Sequence, residues 1–543
     1  MGPSMEGASL LEQLREDLGF RRIKQGIGRL ERIRPMIENM EPAAGAGVLA
    51  GLVAQWVDAG FDSPALLRRV LARFSAAVRP TLPLLDYLHL RMAEGVLAMS
   101  EEDYDRASGH FLLVQSFEHE IEDRELLAIA NFWIGRCRRK AGRYDDALSY
   151  TERAENLALE RGYTPMAAIM QATLSWLAFQ RGKLDDSVAI LRRAEEALNQ
   201  TDDFLSRGNI QSAYGRIARR QGRYERAVEY FERAIGEYRT SGGGQLQLAR
   251  ALQNLAFVRR LLALQAHKEL DRLAASRRGS REGAAEGSDL AHERRLRIDA
   301  MRAQSRDHLE EAMQIYARRQ NHRGIAGVHI NGGFLYLDSG DLERAALEAA
   351  EAFAHGSEKS DYIVMARART LQCIVENAAI EEQVGDASLH HDAAETFARD
   401  AVRFAGQTQN RRLLARAHVW QGISSAASPS RDLESARRSC EEAMALLQSD
   451  GSERQYVWDD LEILKVRVLQ TWPVDPLLRA WSAGVVDDRS FQQMTAEFAR
   501  IVIPKVWERE GRKVSRVAEK LSISPKKVRR ILQLAGVSDK RDV

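Results

Sequence analysis

Gly142-Arg-Tyr-Asp-Asp-Ala147, Gly182-Lys-Leu-Asp-Asp-Ser187 and Gly222-Arg-Tyr-Glu-Arg-Ala227 are one phrase written three times at intervals of 40 residues, and Gly340-Asp-Leu-Glu-Arg-Ala345 resumes it later. Positions around the phrase keep the same step: Gly95, Gly135, Ser175 and Gly215; Tyr104, Tyr144, Leu184 and Tyr224; Ala107, Ala147, Ser187 and Ala227; Val114, Ala154, Ala194 and Ala234. Self-similarity at a fixed period of this length marks a stack of identical supersecondary units. Each unit reads as two antiparallel helices. A small residue in the first helix admits the second at close range, the glycine takes the turn, and an aromatic or leucine two residues on fills the junction.

These residues resemble the tetratricopeptide repeat family, over roughly residues 82 to 469. The family's usual period is shorter, so the resemblance implies helices lengthened by about a turn, or longer loops. The fold class expected is therefore all-α, a solenoid of antiparallel helix pairs over residues 81–470. Residues 8–80 look helical but out of register, as divergent repeats or a cap, and residues 1–7 read as a tag remnant. The array is interrupted: a first helix over Gln247 to Leu264 finds its partner only at about Ser305 to Arg319. The stretch between is rich in Gly, Ser, Arg and Glu around Arg277 to Ser288, a composition that does not bury a core. A flexible loop at about 267–300 with partly helical shoulders is expected, either a tolerated insertion or a partner-binding arm.

Solenoids of this kind bind on the face lined by the first helices. The residue after each small anchor, and the one three further on along the same helix face, give Arg136, Arg139, Trp176, Phe179, Arg216, Arg219, Phe257 and Arg260 in the centre of the array. Arginine grips carboxylates bidentately and stacks on aromatic rings, so a peptide or protein segment bearing carboxylates is the expected ligand. The bland alternative places some of these side chains in inter-repeat packing or against acidic neighbours.

Beyond Leu469, Thr471-Trp-Pro-Val-Asp-Pro476 breaks the helical pattern and predicts a hinge over 471–488. Ser490-x-x-Gln493 is a capping box, opening a helix with Phe491, Met494, Phe498 and Ile501 as its apolar stripe, which Pro504 is expected to kink or end. Ser515 to Leu521 and Pro525 to Ala535 then read as two short helices. Ser524 is suited to the N-cap, Pro525 to the first helical position and Gly536 to the C-terminal cap. Ala518, Leu521, Ile523, Val528 and Leu532 form a small core, and Lys526, Lys527, Arg529, Arg530 and Gln533 take the opposite face.

This segment, 489–543, resembles the Fis-type helix-turn-helix that closes nitrogen-regulator-C-like proteins, through Phe498, Ser515-Arg-Val-Ala518, Leu521, Ile523-Ser524, Arg530, Leu532 and Gly536. The resemblance implies a homodimer on double-stranded DNA, with Arg516 and Arg530 on phosphate and Lys526, Lys527 and Arg529 nearest the bases. Two residues depart from the family: Ser522 stands where glycine is usual, a position that can require positive φ, and Ile531 where a basic residue is usual.

Charge supports this division. The net charge of +2 over 543 residues hides that residues 505–543 hold 12 of the 79 basic residues and 5 of the 77 acidic ones, leaving 67 against 72 in the body. The three cysteines, Cys137, Cys373 and Cys440, lack disulfide-framework or metal spacing and fit a reducing compartment, the bacterial cytoplasm. Neither long uncharged run, 42–57 or 162–180, is apolar enough to cross a membrane. No metal-protease, phosphate-loop or nucleophile-elbow motif occurs, so no catalytic residue, metal or cofactor is expected. Two readings follow: a DNA-binding regulator whose solenoid senses a partner, or a scaffold whose tail only dimerises.

Overall fold

The glycine of each repeated phrase adopts the left-handed conformation the turn demands, with φ of 80° at Gly142, 81° at Gly182, 73° at Gly222 and 77° at Gly340. In the computed structural model, which describes residues 5–242, 244–277, 284–427, 432–448, 461, 463–465 and 490–535, helices run between these turns and no strand occurs among the described residues. The small anchors work by proximity: a Cβ on Gly215 would stand 2.9 Å from the Phe231 ring, and Ser175 and Ser187 hydroxyls hydrogen-bond at 2.9 Å across the corresponding pair.

Residues 1–464 form one compact unit and 465–543 a second. The first opens with α1 (Met5–Gly19), α2 (Ile23–Arg32), α3 (Arg34–Glu38), α4 (Ala46–Asp58) and α5 (Pro64–Ala72). Pairs follow: α6 (Leu84–Ser100) with α7 (Tyr104–Ser116), α8 (Arg124–Lys140) with α9 (Tyr144–Glu160), α10 (Thr164–Gln180) with α11 (Leu184–Leu198), and α12 (Phe204–Arg220) with α13 (Tyr224–Ser241). Next come α14 (Gln245–Arg277) with α15 (Ala284–Arg318), α16 (His322–Leu337) with α17 (Leu342–Glu358), α18 (Tyr362–Glu381) with α19 (Ala387–Gly406), and α20 (Arg411–Ala427) with α21 (Leu433–Gln448). Aspartate or asparagine caps many of them. Asp103, Asp123, Asp203, Asn321, Asp341 and Asp361 each accept from the backbone N–H three residues on, satisfying an otherwise orphaned donor.

The expected loop at 267–300 is narrowed by its helical shoulders. Its shoulders are the long ends of α14 and α15, 33 and 35 residues respectively; the centre of the expected loop, 278–283, lies outside the described residues. Arginine and glutamate are good helix formers, and an apolar seam of Ala263, Leu270 and Ile298, flanked by Ala266, Ala291 and Met301, gives the two helices something to bury. The average composition of the stretch concealed that spacing.

Successive turns of the solenoid touch. The Glu102 carboxylate accepts from Asn321 Nδ2 at 2.7 Å and from the His322 backbone N–H at 2.7 Å. Arg323 Nη2 donates to the Lys140 carbonyl at 2.8 Å. Gln409 donates its backbone N–H to the Gly142 carbonyl at 2.9 Å and accepts from the Asp145 N–H at 2.9 Å. Nearer the start, Arg21 Nε pairs with Asp203 at 2.7 Å with both side chains buried. Asp202 accepts from the N–H groups of Ile23 and Lys24 at 2.6 and 2.9 Å, an anion on a helix N-terminus.

In the second unit the capping box of Ser490 and Gln493 forms. The helix it opens, Phe491–Arg509, runs through Pro504, so of the two expected outcomes the proline does not end it. Ile503 and Trp507 on either side of the proline are buried, and that anchorage holds the helix where a lost backbone hydrogen bond would otherwise break it. Val514–Lys520 and Pro525–Leu534 follow, with Ser524 capping the latter. Val514, Val517, Ala518, Val528, Ile531 and Leu532 are buried among them, with Leu521 and Ile523 at the edge. The expected hinge 471–488, the cap at Gly536 and the N-terminal Met1 to Ser4 lie outside the described residues. All three cysteines are buried, and none is in a disulfide.

The buried Arg21–Asp203 pair gives a test of turn-to-turn contact. Arg21→Ala leaves a buried carboxylate without its cation and is expected to cost about 3–5 kcal/mol, read as a lowered urea midpoint; an unchanged midpoint would show that these turns are held together elsewhere.

Candidate functional site

The first helices of the pairs line a partly open cavity of about 1970 Å³. Of its lining, 13 arginines and 2 lysines stand against 3 carboxylates (Asp58, Asp62 and Glu269), counted among the described residues. The lining is therefore strongly basic.

The sequence-derived groove residues divide. Arg139 lies over the Trp176 ring at 5.0 Å, and Trp176 in turn meets Tyr144 edge-on at 5.2 Å. Arg216 bonds the Ser212 hydroxyl at 3.2 Å, and Arg219 bonds Asn254 Oδ1 at 3.1 Å while lying 5.1 Å over Phe257. All five line the cavity. Arg136 and Arg260 line it too, but their charges are engaged: Arg136 pairs with Asp58, and Arg260 forks onto Asp338 at 2.5 and 2.7 Å. Arg260 also lies between Phe257 and Phe334, at 5.9 and 4.8 Å.

Phe179 is not a groove residue. It is buried with Leu184, Leu191 and Ile217, covered by Arg220 at 4.8 Å, whose guanidinium also donates to the Phe179 carbonyl. At a register where arginine reaches the cavity, a large apolar ring gains more by turning into the junction between repeats.

Lys140, Arg250 and Arg323 are among the cavity cations that escape the simple positional rule. Lys140 lies four residues beyond Arg136, Arg250 seven before Phe257, and Arg323 opens the face that ends at Phe334. Extending the same-face rule to steps of four and seven finds the first two. Lys140 lies 5.9 Å from the Tyr104 ring centroid; Arg323 is neutralised by Asp361.

Arg139, Lys140, Arg216 and Arg250 have no carboxylate ion-pair partner among the described residues, and they repel one another. Burial and the charges of Arg250, Arg136 and Arg216 pull Arg139 down to about 9. Burial, with Arg250 and Arg219, pulls Arg216 down to about 10, and burial with Arg250 and Arg323 lowers Lys140 well below its usual range. Arginine remains protonated at neutral pH, so Arg139 and Arg216 keep their charge at the expense of lost hydration first and of repulsion from neighbouring cations second.

The six C-terminal residues Arg516, Lys526, Lys527, Arg529, Arg530 and Gln533 are all exposed, and none is in a salt bridge among the described residues. Ser522 takes positive φ, 51°, the conformation that makes glycine usual there. Ile531 is buried, so its departure from a basic residue goes into the core.

Residues 210–240 match the tetratricopeptide repeat family. The body is a tetratricopeptide-like helical solenoid. A Rap protein complexed with competence and sporulation factor is similar over 75% of this chain and 100% of its own, at 14% identity and a TM-score of 0.51. The apo quorum sensor NprR of B. thuringiensis is similar over 73% and 98%, at 11% and 0.46. The human IFIT1 dimer with PPP-AAAA is similar over 86% and 94%, at 12% and 0.45. At 14% identity the likeness to the Rap protein bears on the fold alone. No curated protein matches the sequence. Among the described residues no helix of this solenoid is long and apolar enough to cross a membrane.

Mutual repulsion predicts that the cavity costs stability. With no ligand, Arg139→Gln and Arg216→Gln should each raise the thermal midpoint, by about 2–4 °C per kcal/mol relieved, with the gain shrinking as salt screens the cluster. A lowered midpoint for both would mean these cations are structurally satisfied.

Proposed function

We propose that the chain is a non-enzymatic cytoplasmic transcriptional regulator whose solenoid takes up an anionic peptide or protein segment and whose C-terminal helices bind double-stranded DNA as a Fis-type helix-turn-helix homodimer. The observation that carries the sensing half is the cluster of Arg139, Lys140, Arg216 and Arg250 lining one cavity. A cavity that stores like-charge repulsion binds a polyanion with more energy than the ligand contacts alone supply, because the repulsion is relieved at the same time. Trp176 and Phe257 offer apolar and stacking surface beside the charge, which suits a carboxylate-bearing peptide better than a bare inorganic anion. The Rap protein that the body is similar to forms a complex with competence and sporulation factor, in keeping with a solenoid that takes a regulatory ligand.

The DNA-binding half rests on chemistry at the C-terminus. Lys526, Lys527, Arg529, Arg530 and Gln533 share the face of Pro525–Leu534 that turns away from Val528, Ile531 and Leu532, as a helix entering a major groove requires. Phe491 and Phe498 are 78% and 49% exposed on the preceding helix, an apolar stripe that suits a second copy. Ligand uptake would regulate by changing the spacing of the two DNA-binding units, since half-sites must lie about one helical turn apart.

In gel-shift titrations of the full chain on random-sequence duplex DNA, log affinity should fall steeply with log salt, and Lys526→Ala with Arg530→Ala should flatten the slope by about 2. No retardation at low salt would leave the scaffold reading, in which the exposed Phe491–Phe498 stripe only dimerises. For the cavity, a fluorescent oligoglutamate should bind the wild type at least about tenfold more tightly than an Arg139→Gln, Arg216→Gln variant; equal affinities would remove the cavity as its site.

A further inference from the structure

On the α16–α17 pair, away from the cavity lining, stand three histidines and two glutamates that the proposed function does not use. His322 opens α16, while His355 and Glu358 stand three residues apart near the end of α17 and so share one face. One ligand atom from each of the three, two imidazole nitrogens and a carboxylate oxygen, lies within 4.8 Å of the others. His322 Nδ1 is 3.1 Å from Glu358 Oε2, yet it is buried and makes no hydrogen bond, leaving a nitrogen directed into the cluster. His329 stacks on His355 at 5.7 Å and 15°, and Glu348 holds its Nδ1 at 2.8 Å. An imidazole fixed by a carboxylate is the arrangement that orients rings around a metal.

We propose that His322, His355 and Glu358 bind a divalent transition metal of the zinc class. Two neutral imidazoles and a carboxylate form the nitrogen and oxygen donor set that such ions prefer. Bonds of about 2.0–2.1 Å require donor atoms about 3.4 Å apart in a tetrahedral site, which Glu358 and His322 already approach and to which His355 would have to close from within 4.8 Å. The fourth position is left to water. The ion would clasp the start of α16 to the end of α17, and the His322 backbone N–H is one of the two donors to Glu102 between turns. Metal occupancy would therefore stiffen that contact.

The test is a Co2+ titration of the tag-free, chelator-stripped full chain, followed by visible d–d absorption and then displacement by Zn2+. One equivalent giving bands of four- or five-coordinate intensity is expected. His355→Ala and Glu358→Gln should each weaken binding about tenfold or more, while His391→Ala, on α19, leaves it unchanged. No binding, weak octahedral-type absorption, or identical titrations in the wild type and both variants would overturn the proposal. Metal-free circular dichroism melts monitor folding, and Glu358, with its side chain 58% exposed, keeps the test decisive should His355→Ala unfold.

Discussion

The structure depends on the contacts by which one turn of the solenoid meets the next. A stack of helix pairs joined only to its neighbours is quasi-one-dimensional. Here the Glu102 carboxylate on Asn321 and His322, the Gly142 carbonyl on Gln409 and the buried Arg21–Asp203 pair join residues about two hundred positions apart in sequence. These contacts hold the helices that line the cavity to one another. Because of them, Arg139 and Arg216 stand in a confined space where their charges are felt by one another rather than dissipated into water.

Charge is thereby sorted by depth as well as by position along the chain. The body is slightly acidic in total, yet its interior lining is strongly basic, so its carboxylates lie predominantly outside the cavity. Net charge per segment, useful for locating the basic C-terminus, is blind to this radial separation.

Repeat grammar was the most legible feature in the sequence, because a glycine at positive φ and a small residue at a helix crossing are local requirements that recur with the period. The short C-terminal helices were equally local, down to the Ser524 cap and the positive φ at Ser522. Four outcomes hinged on tertiary partners. Phe179 turned inward because Arg220 and a leucine cluster receive it, and Arg136 and Arg260 were engaged by Asp58 and Asp338, each 78 residues away. Pro504 sits within a helix because Ile503 and Trp507 are anchored. The α14–α15 extension was hidden by composition, although its apolar positions keep a helical spacing. The histidine cluster was invisible because α16 and α17 each contribute only part of it.

Glu102 shows what a repeat surrenders when one copy acquires a private task. The 40-residue step places it where Gly142, Gly182 and Gly222 stand, and it too adopts positive φ, 61°, at a cost that glycine would not incur. Its carboxylate spans to the start of α16. Consensus engineering, which replaces outliers by the residue most common at each repeat position, would install glycine here and relax the backbone. It would also delete a rivet between turns, so the residue that looks most in need of repair is one the closed architecture relies on.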